Sequence, residues 1–280
     1  MGHGTLFGEK PEEDGMPDYE FCKVEREGRL TIVTLNRPEV MNALHAPAHA
    51  ELGEVFDKFS TDPEQWVAIV TGAGERAFSA GNDLKVTAAG GGSARLLPAH
   101  SSGFAGLTTR FDLDKPVIAA VNGIAMGGGF EIALACDIIL AAESAVFALP
   151  EPRVGLAALA GGLHRLPREI GTKRAMGMIL TGRRVGAAEG KELGFVNEVL
   201  PNAQLMTRAK ELAKQIMELS PMSVRASKQA VYRGLAEVSV ADALKNQNSY
   251  PAVAAMYRSE DLREGPKAFA EKRAPQWKGR

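Results

Sequence analysis

The chain has 280 residues, 45% of them hydrophobic and 24% charged, which allows a substantial buried core and excludes wholesale disorder. Its 33 Lys and Arg against 34 Asp and Glu leave a net charge of −1, without the basic surplus that a nucleic-acid backbone or an anionic membrane attracts. Only Cys22 and Cys136 are present and every apolar run is short, so the expectation is a cytoplasmic globular protein of one or two domains, with neither a disulfide framework nor a membrane span.

In chain order, residues 1–18 are polar, acidic and rich in Gly and Pro, and read as a flexible leader rather than a secretion signal. Residues 19–27 and 29–35 alternate as two strands hinged at Gly28, and Pro38 stops the second. A helix is predicted over 46–60, with Leu52, Val55, Phe56 and Phe59 on one face. Residues 66–71 form a short apolar strand ending at Gly72. The Gly/Ser/Ala-rich segment 88–103 reads as a surface loop or a short helix.

The strand–turn–helix rhythm then recurs. Residues 117–121 are a strand, Asn122-Gly123 a turn and 127–136 a glycine-led helix, followed by short strands over 138–141 and 145–149. A helical stretch covers 162–181. Beyond residue 201 helical spacing runs over 204–218, 223–233 and 239–248, and no good strand appears. The expected organisation is an α/β core over 19–200 and a helical region over 201–280. Residues 262–280 carry six basic and two acidic side chains, a pattern of a solvated face or of a surface meeting a phosphate or a second subunit.

Three features imitate known chemistry without its context. Gly72-Ala73-Gly74-Glu75-Arg76-Ala77 follows a strand as a dinucleotide fingerprint does, but no helix start and no strand-ending acid come after it. His45 and His49 lie four apart with Pro47 between them and no third ligand near, so they read as a helix entrance rather than a zinc site. Ser79 and His164 lack the G-x-S-x-G elbow of a nucleophile pair.

The strong signal is a pair of glycine-bearing loops with two glutamates. The first loop is Ala77-Phe78-Ser79-Ala80-Gly81-Asn82-Asp83-Leu84-Lys85, and the second runs from Asn122 through Gly127-Gly128-Gly129 to Glu131. Successive glycines opening a helix admit a ligand close to the backbone and leave the first N–H groups of that helix free to meet it. One N–H from each loop would make a hole for a carbonyl oxygen gaining negative charge. Glu131 lies one turn into an uncharged helix, and Glu151 stands between Pro150 and Pro152 after an apolar strand. Two carboxyls in apolar surroundings suit general acid and base work. The plain alternative, a helix-capping Glu131 and a solvent-facing Glu151, stays open on these residues alone.

These segments resemble the crotonase superfamily of enoyl-CoA hydratases and isomerases, over about residues 19–280. The resemblance is carried by Asn36-Arg37-Pro38 with Asn42-Ala43-Leu44, then FSAGNDL, DKPVIAAVNGIAMGGGFEIALACDI, FALPEPRVGL, TGRRVGAAEGKELGFVNEV and EGPKAFAEKR in that order. Within the family, GFAGLT, GGGFE and AFAEKRAPQWKGR are most similar to the carnitinyl-CoA dehydratase branch, which hydrates crotonobetainyl-CoA reversibly.

The resemblance implies a repeated ββα core with a helical C-terminal trimerisation region, as a homotrimer or a dimer of trimers. It implies a coenzyme A thioester as substrate, with no metal and no separate cofactor. It also implies backbone N–H donors at Asn82 and Gly128 for the thioester oxygen, and a CoA path along Asn82, Asp83, Leu84 and Lys85. Arg37 and Ala80 lie where the family holds the nucleotide end, and Phe269 or Lys272 would complete that pocket. In the implied hydration, Glu131 is the base toward water and Glu151 delivers the proton to C2. A Δ3,Δ2-enoyl-CoA isomerase working through Glu151 alone is the alternative, with a non-catalytic CoA-thioester or RNA-binding homologue beyond it. Two positions depart from the family: Asn82 replaces a small residue, which brings an amide toward the acyl end, and Ala158 replaces a proline in a loop that shapes the acyl pocket.

Overall fold

The computed structural model describes residues 18–89 and 101–280, so residues 1–17 of the leader and most of segment 88–103 lie outside the described residues. Strands β1 (Cys22–Glu27) and β2 (Leu30–Leu35) form the antiparallel hairpin expected around Gly28. They are followed by α1 (Ala46–Thr61), β3 (Val67–Gly72), β4 (Ala77–Ser79) and α2 (Leu84–Ala89). Next come β5 (Val117–Val121), β6 (Ile124–Met126), α3 (Gly128–Ala135), β7 (Ile138–Ala142) and β8 (Val146–Ala148). From β3 on, the two strands of each successive unit are divided between two sheets. One sheet runs β1-β2-β3-β5-β7 and ends on β10 (Glu198–Leu200); the other runs β4-β6-β8 and ends on β9 (Val185–Gly186). Beyond the first hairpin the larger sheet is parallel, as successive ββα units require.

The inner strands of the larger sheet, β2, β3, β5 and β7, are largely apolar because both faces are covered, whereas the edge strand β1 alternates. On one face Val33, Leu35, Ala68, Val70, Val117, Ala119 and Val121 meet Leu52, Val55, Phe56 and Phe59 of α1. The intervening residues Ile32, Val67, Ile69, Ile118 and Ala120 point to the other face and pack against Leu205, Ala209 and Ala213 of α7 (Leu205–Met217). The helical region therefore begins as one layer of the sheet's own core. Below the smaller sheet, Phe130, Phe147 and Phe195 form a cluster with ring centroids 5.0–5.2 Å apart.

The corners between the sheets are stacked by asparagine. The Asn122 amide nitrogen donates to the carbonyls of Gly72 (2.9 Å) and Gly74 (2.7 Å), while its oxygen accepts the Gly72 N–H. Asn42 does the same one turn earlier: its amide donates to Ala73 and Ala77 and its oxygen accepts the Arg37 N–H. The glycine fingerprint at 72–77 is thus a sheet-to-sheet corner leading into β4.

The helical stretch over 162–181 is two helices, α4 (Gly162–Ile170) and α5 (Thr172–Thr181), divided at Gly171, whose φ of 81° ends the first. After α6 (Ala187–Leu193) and α7, the chain continues as α8 (Pro221–Gly234), α9 (Val240–Asn246), α10 (Pro251–Arg258) and α11 (Asp261–Ala270). Arg225 pairs with Asp114, and Lys228 with Asp137, which anchors α8 at one edge of the core.

Candidate active site

Two loop corners meet where β4 runs into α2 and β6 runs into α3. Gly81 (φ 85°) brings them together: a Cβ there would stand 2.6 Å from the Met126 carbonyl oxygen and 2.8 Å from the Gly128 nitrogen. Only glycine permits that approach. Gly128 is the first residue of α3, so its N–H is among the donors with no acceptor inside the helix. Asn82 bridges Leu44 in parallel: the Leu44 N–H donates to Gly81 and the Asp83 N–H to Leu44, each at 2.8 Å. That alternation directs the Asn82 N–H away from Leu44.

Glu131 lies on the first turn of α3 and is 4% exposed. Its Oε1 accepts the Gly162 N–H at 2.9 Å, from the residue that opens α4. Burial pushes its pKa up to about 7; the Glu151 charge adds to the rise, while the N–H groups of Gly162 and Ala160 and the Arg165 guanidinium oppose it. Glu151 begins a short 3-10 turn, Glu151–Val154, just beyond β8. Burial raises its pKa as well, and its Oε2 is buried with no hydrogen-bond partner among the described residues. A Cβ on Gly127 (φ 54°) would stand 2.9 Å from Glu151 Oε1, so the carboxyl rests on the glycine corner that leads to Gly128 and Glu131. The structure brings both glutamates and both loop corners together.

The expected CoA-facing residues divide. Arg37 and Asp83 bond to each other: Arg37 Nη1 donates to Asp83 Oδ2 at 3.0 Å and to the Ala43 carbonyl at 2.5 Å. Burial works against the Asp83 charge, yet Arg37 and the N–H groups of Val86 and Lys85 hold its carboxyl below the usual range. Ala80 donates its N–H to Met41, while Leu84 (43% exposed) and Lys85 face outward on α2. Phe269 is 87% exposed near the end of α11, and Lys272 follows just after that helix. The Asn82 amide, expected to turn toward the acyl end, instead donates to Thr87 Oγ1 on α2 at 2.9 Å. Ala158 is buried in the main core.

The imitations resolve structurally. Ser79 Oγ donates to the Asn42 carbonyl and accepts the Gly81 N–H. His45 is the residue before α1, and His49 Nδ1 accepts the Ala105 N–H, with burial drawing its pKa down to about 4. No cluster of three metal-ligating side chains occurs among the described residues. Sequence reasoning did not single out Phe104, whose ring lies directly on Gly128 Cα and edge-on to His49, or Arg165, because only the tertiary packing brings them here.

Residues 25–280 match the family model for enoyl-CoA hydratase/isomerase, and the chain belongs to that family. It is an enzyme of the enoyl-CoA hydratase class, a lyase acting on CoA thioesters. Among its relatives, the carnitinyl-CoA dehydratase of Escherichia coli strain K12 is 48% identical over 266 residues, covering 93% of this chain and 99% of that protein. The carnitinyl-CoA dehydratase of Salmonella typhi is 47% identical over the same coverage. Among solved structures, the enoyl-CoA hydratase from Mycobacterium tuberculosis H37Rv superposes with a TM-score of 0.85 at 36% identity, covering 93% of this chain and 99% of that one. That from Bacillus anthracis gives 0.83 at 37% identity, covering 93% and 100%.

Proposed function

We propose that the protein interconverts a 2-enoyl-CoA thioester and its 3-hydroxy form by syn addition and removal of water, with crotonobetainyl-CoA and carnitinyl-CoA as the physiological pair. The observation that carries this reading is the meeting of the buried Glu131 and the half-buried Glu151 at the glycine corner that also presents the Gly128 N–H. The N–H groups of Asn82 and Gly128 hold the thioester oxygen as it gains enolate charge. In hydration Glu131 takes a proton from water as its oxygen bonds to C3, and Glu151 gives its proton to C2. In dehydration Glu131 returns a proton to the leaving hydroxyl while Glu151 removes one from C2.

The pair therefore works with one proton between its two carboxyls. Glu131 is the more deeply buried and keeps that proton toward neutrality, which is the starting state for dehydration. The carnitinyl-CoA dehydratase relatives at 48% identity support the acyl assignment. We take the reaction to need no metal or redox cofactor, coenzyme A arriving as part of the substrate.

Leu84 and Lys85 are placed along the CoA chain, with Arg37 and Ala80 at its nucleotide end and the Arg37–Asp83 pair bracing the loop. Phe269 and Lys272 reach that end from a neighbouring copy in a homotrimer or a dimer of trimers. Val238, 98% exposed, with Leu235, Val240 and Leu244 supplies an apolar surface suited to such association. No described helix is long and apolar enough to cross a membrane, which is compatible with a cytoplasmic enzyme free of membrane and nucleic acid.

The test is substitution of each acid. Glu131→Gln and Glu151→Gln are each expected to lower the hydration kcat by about a thousandfold or more, with CoA-thioester binding measured by calorimetry retained. Full activity in Glu131→Gln would exclude the two-carboxyl mechanism and favour an isomerase dependent on Glu151.

A further inference from the structure

The reaction as described leaves one charge at the site unused. Arg165 lies on α4, three residues beyond the glycine whose N–H holds Glu131. Its Nη2 donates to the Thr108 carbonyl at 2.8 Å, in the segment that begins with Phe104. Its Nη1 lies so close to Gly161 that a Cβ there would collide with it. The guanidinium carbon is 5.7 Å from the Phe111 ring centroid. Arg165 thus joins two pieces of the site: the segment that lays Phe104 on Gly128, and the Gly161-Gly162 pair that presents a backbone donor to Glu131.

We propose that Arg165 is a positioning residue of the reaction: its fork holds the glycine pair in register with Glu131 and sets a fixed positive charge beside that carboxyl. The proposal goes beyond the roles given to the two glutamates and, for its kinetic part, rests on them. The other groups that interact with the guanidinium are Cys136 at the end of α3 and Tyr232 on α8. Burial raises the pKa of both, so at neutral pH they carry no charge and Glu131 is the acid whose titration the guanidinium meets. Glu131 in turn feels Glu151 and Arg165 with opposite sign. Removing the positive charge makes the carboxyl pair hold its proton to higher pH. Removing only the planar fork costs alignment and leaves the charge, because an ammonium that reaches the Thr108 carbonyl has no planar group to pack against Gly161.

Arg165→Met and Arg165→Lys separate the two parts. In Arg165→Met the alkaline limb of kcat/KM against pH is expected to move up by about one pH unit. Its kcat falls about ten- to a hundredfold with KM little changed. In Arg165→Lys the limb stays within a few tenths of a unit of the wild type while kcat still falls. An unmoved limb in Arg165→Met, or a limb in Arg165→Lys displaced as far as in Arg165→Met, overturns the charge role. A wild-type kcat in Arg165→Lys overturns the positioning role. The infrared titration of the Glu131 carboxyl, read as wild type minus Glu131→Gln in free enzyme, reports the same shift without turnover, so failure here is distinguishable from failure of the hydratase assignment. Should Arg165→Met not fold, Arg165→Lys alone decides: a Glu131 titration at the wild-type pH with reduced kcat supports the proposal, and any other combination refutes it.

Discussion

Glu131, the base in the proposed reaction, is placed at a cost to the fold. Its carboxyl is held well above the usual range by burial, so the native state binds more protons than the unfolded chain between pH 4.5 and about 7. Stability from this group is therefore lost as pH rises through that window. A Gln in its place still accepts the Gly162 N–H but carries no charge to bury. Glu131→Gln is expected to be more stable than the wild type at pH 8, by at most about 3 kcal/mol, and so to unfold at higher temperature, with the gap closing toward pH 4.5. Calorimetric melting at the two pH values checks this; a variant less stable at pH 8 would show that the hydrogen bonding of the carboxylate outweighs its burial. Both glutamates were legible in the sequence because a lone acid in an apolar helix and an acid between two prolines stand out locally. The placements of Phe104 and Arg165 were not: Phe104 lies within the GFAGLT segment, but neither that motif nor the residues around Arg165 show a ring against a glycine or a clamped guanidinium.

At the scale of elements, the site exists because successive ββα units place their corners one above another. Asn42 and Asn122 fix those corners through both ends of an amide, and Gly81 and Gly127 let the backbones and the Glu151 carboxyl close in. Gly127→Ala would put a Cβ into Glu151 at a φ that L residues rarely adopt. It is expected to cost about 1–3 kcal/mol in denaturant unfolding and to lower kcat more than the stability loss accounts for. Wild-type kcat in a stable Gly127→Ala would separate that corner from the chemistry. The longer strands of the parallel sheet were readable as apolar runs, and α1 as a helix with one apolar face. The three-residue strands β4, β6 and β8 fare differently: too short for a period, they are defined by pairing with one another, and only 145–149 was anticipated. The break at Gly171 was missed because helical spacing continues on both sides of a glycine that ends one helix and begins the next.

Across the whole molecule, the division between α/β core and helical region is softer than composition suggests. α7 forms the second face of the larger sheet's core, and α8 is tied to the core's edge through Asp114 and Asp137. Beyond them the region exposes Leu235, Val238, Val240, Leu244 and Phe269, an arrangement that a single copy leaves uncovered. The family could be read from the order of its motifs. Three segments pointed to the carnitinyl-CoA dehydratase branch, but the walls of the acyl pocket could not be read, because the residues that shape it are scattered in sequence, and the two that depart from the family turn inward: Asn82 to Thr87, and Ala158 to the core.

The central claim is tested most directly by following the loss of enoyl-thioester absorbance when purified protein is mixed with crotonobetainyl-CoA, beside crotonyl-CoA as reference. The account predicts loss with both, higher kcat/KM for crotonobetainyl-CoA, and none with Glu131→Gln. An unchanged absorbance with both thioesters, from folded protein that still binds them, would contradict it.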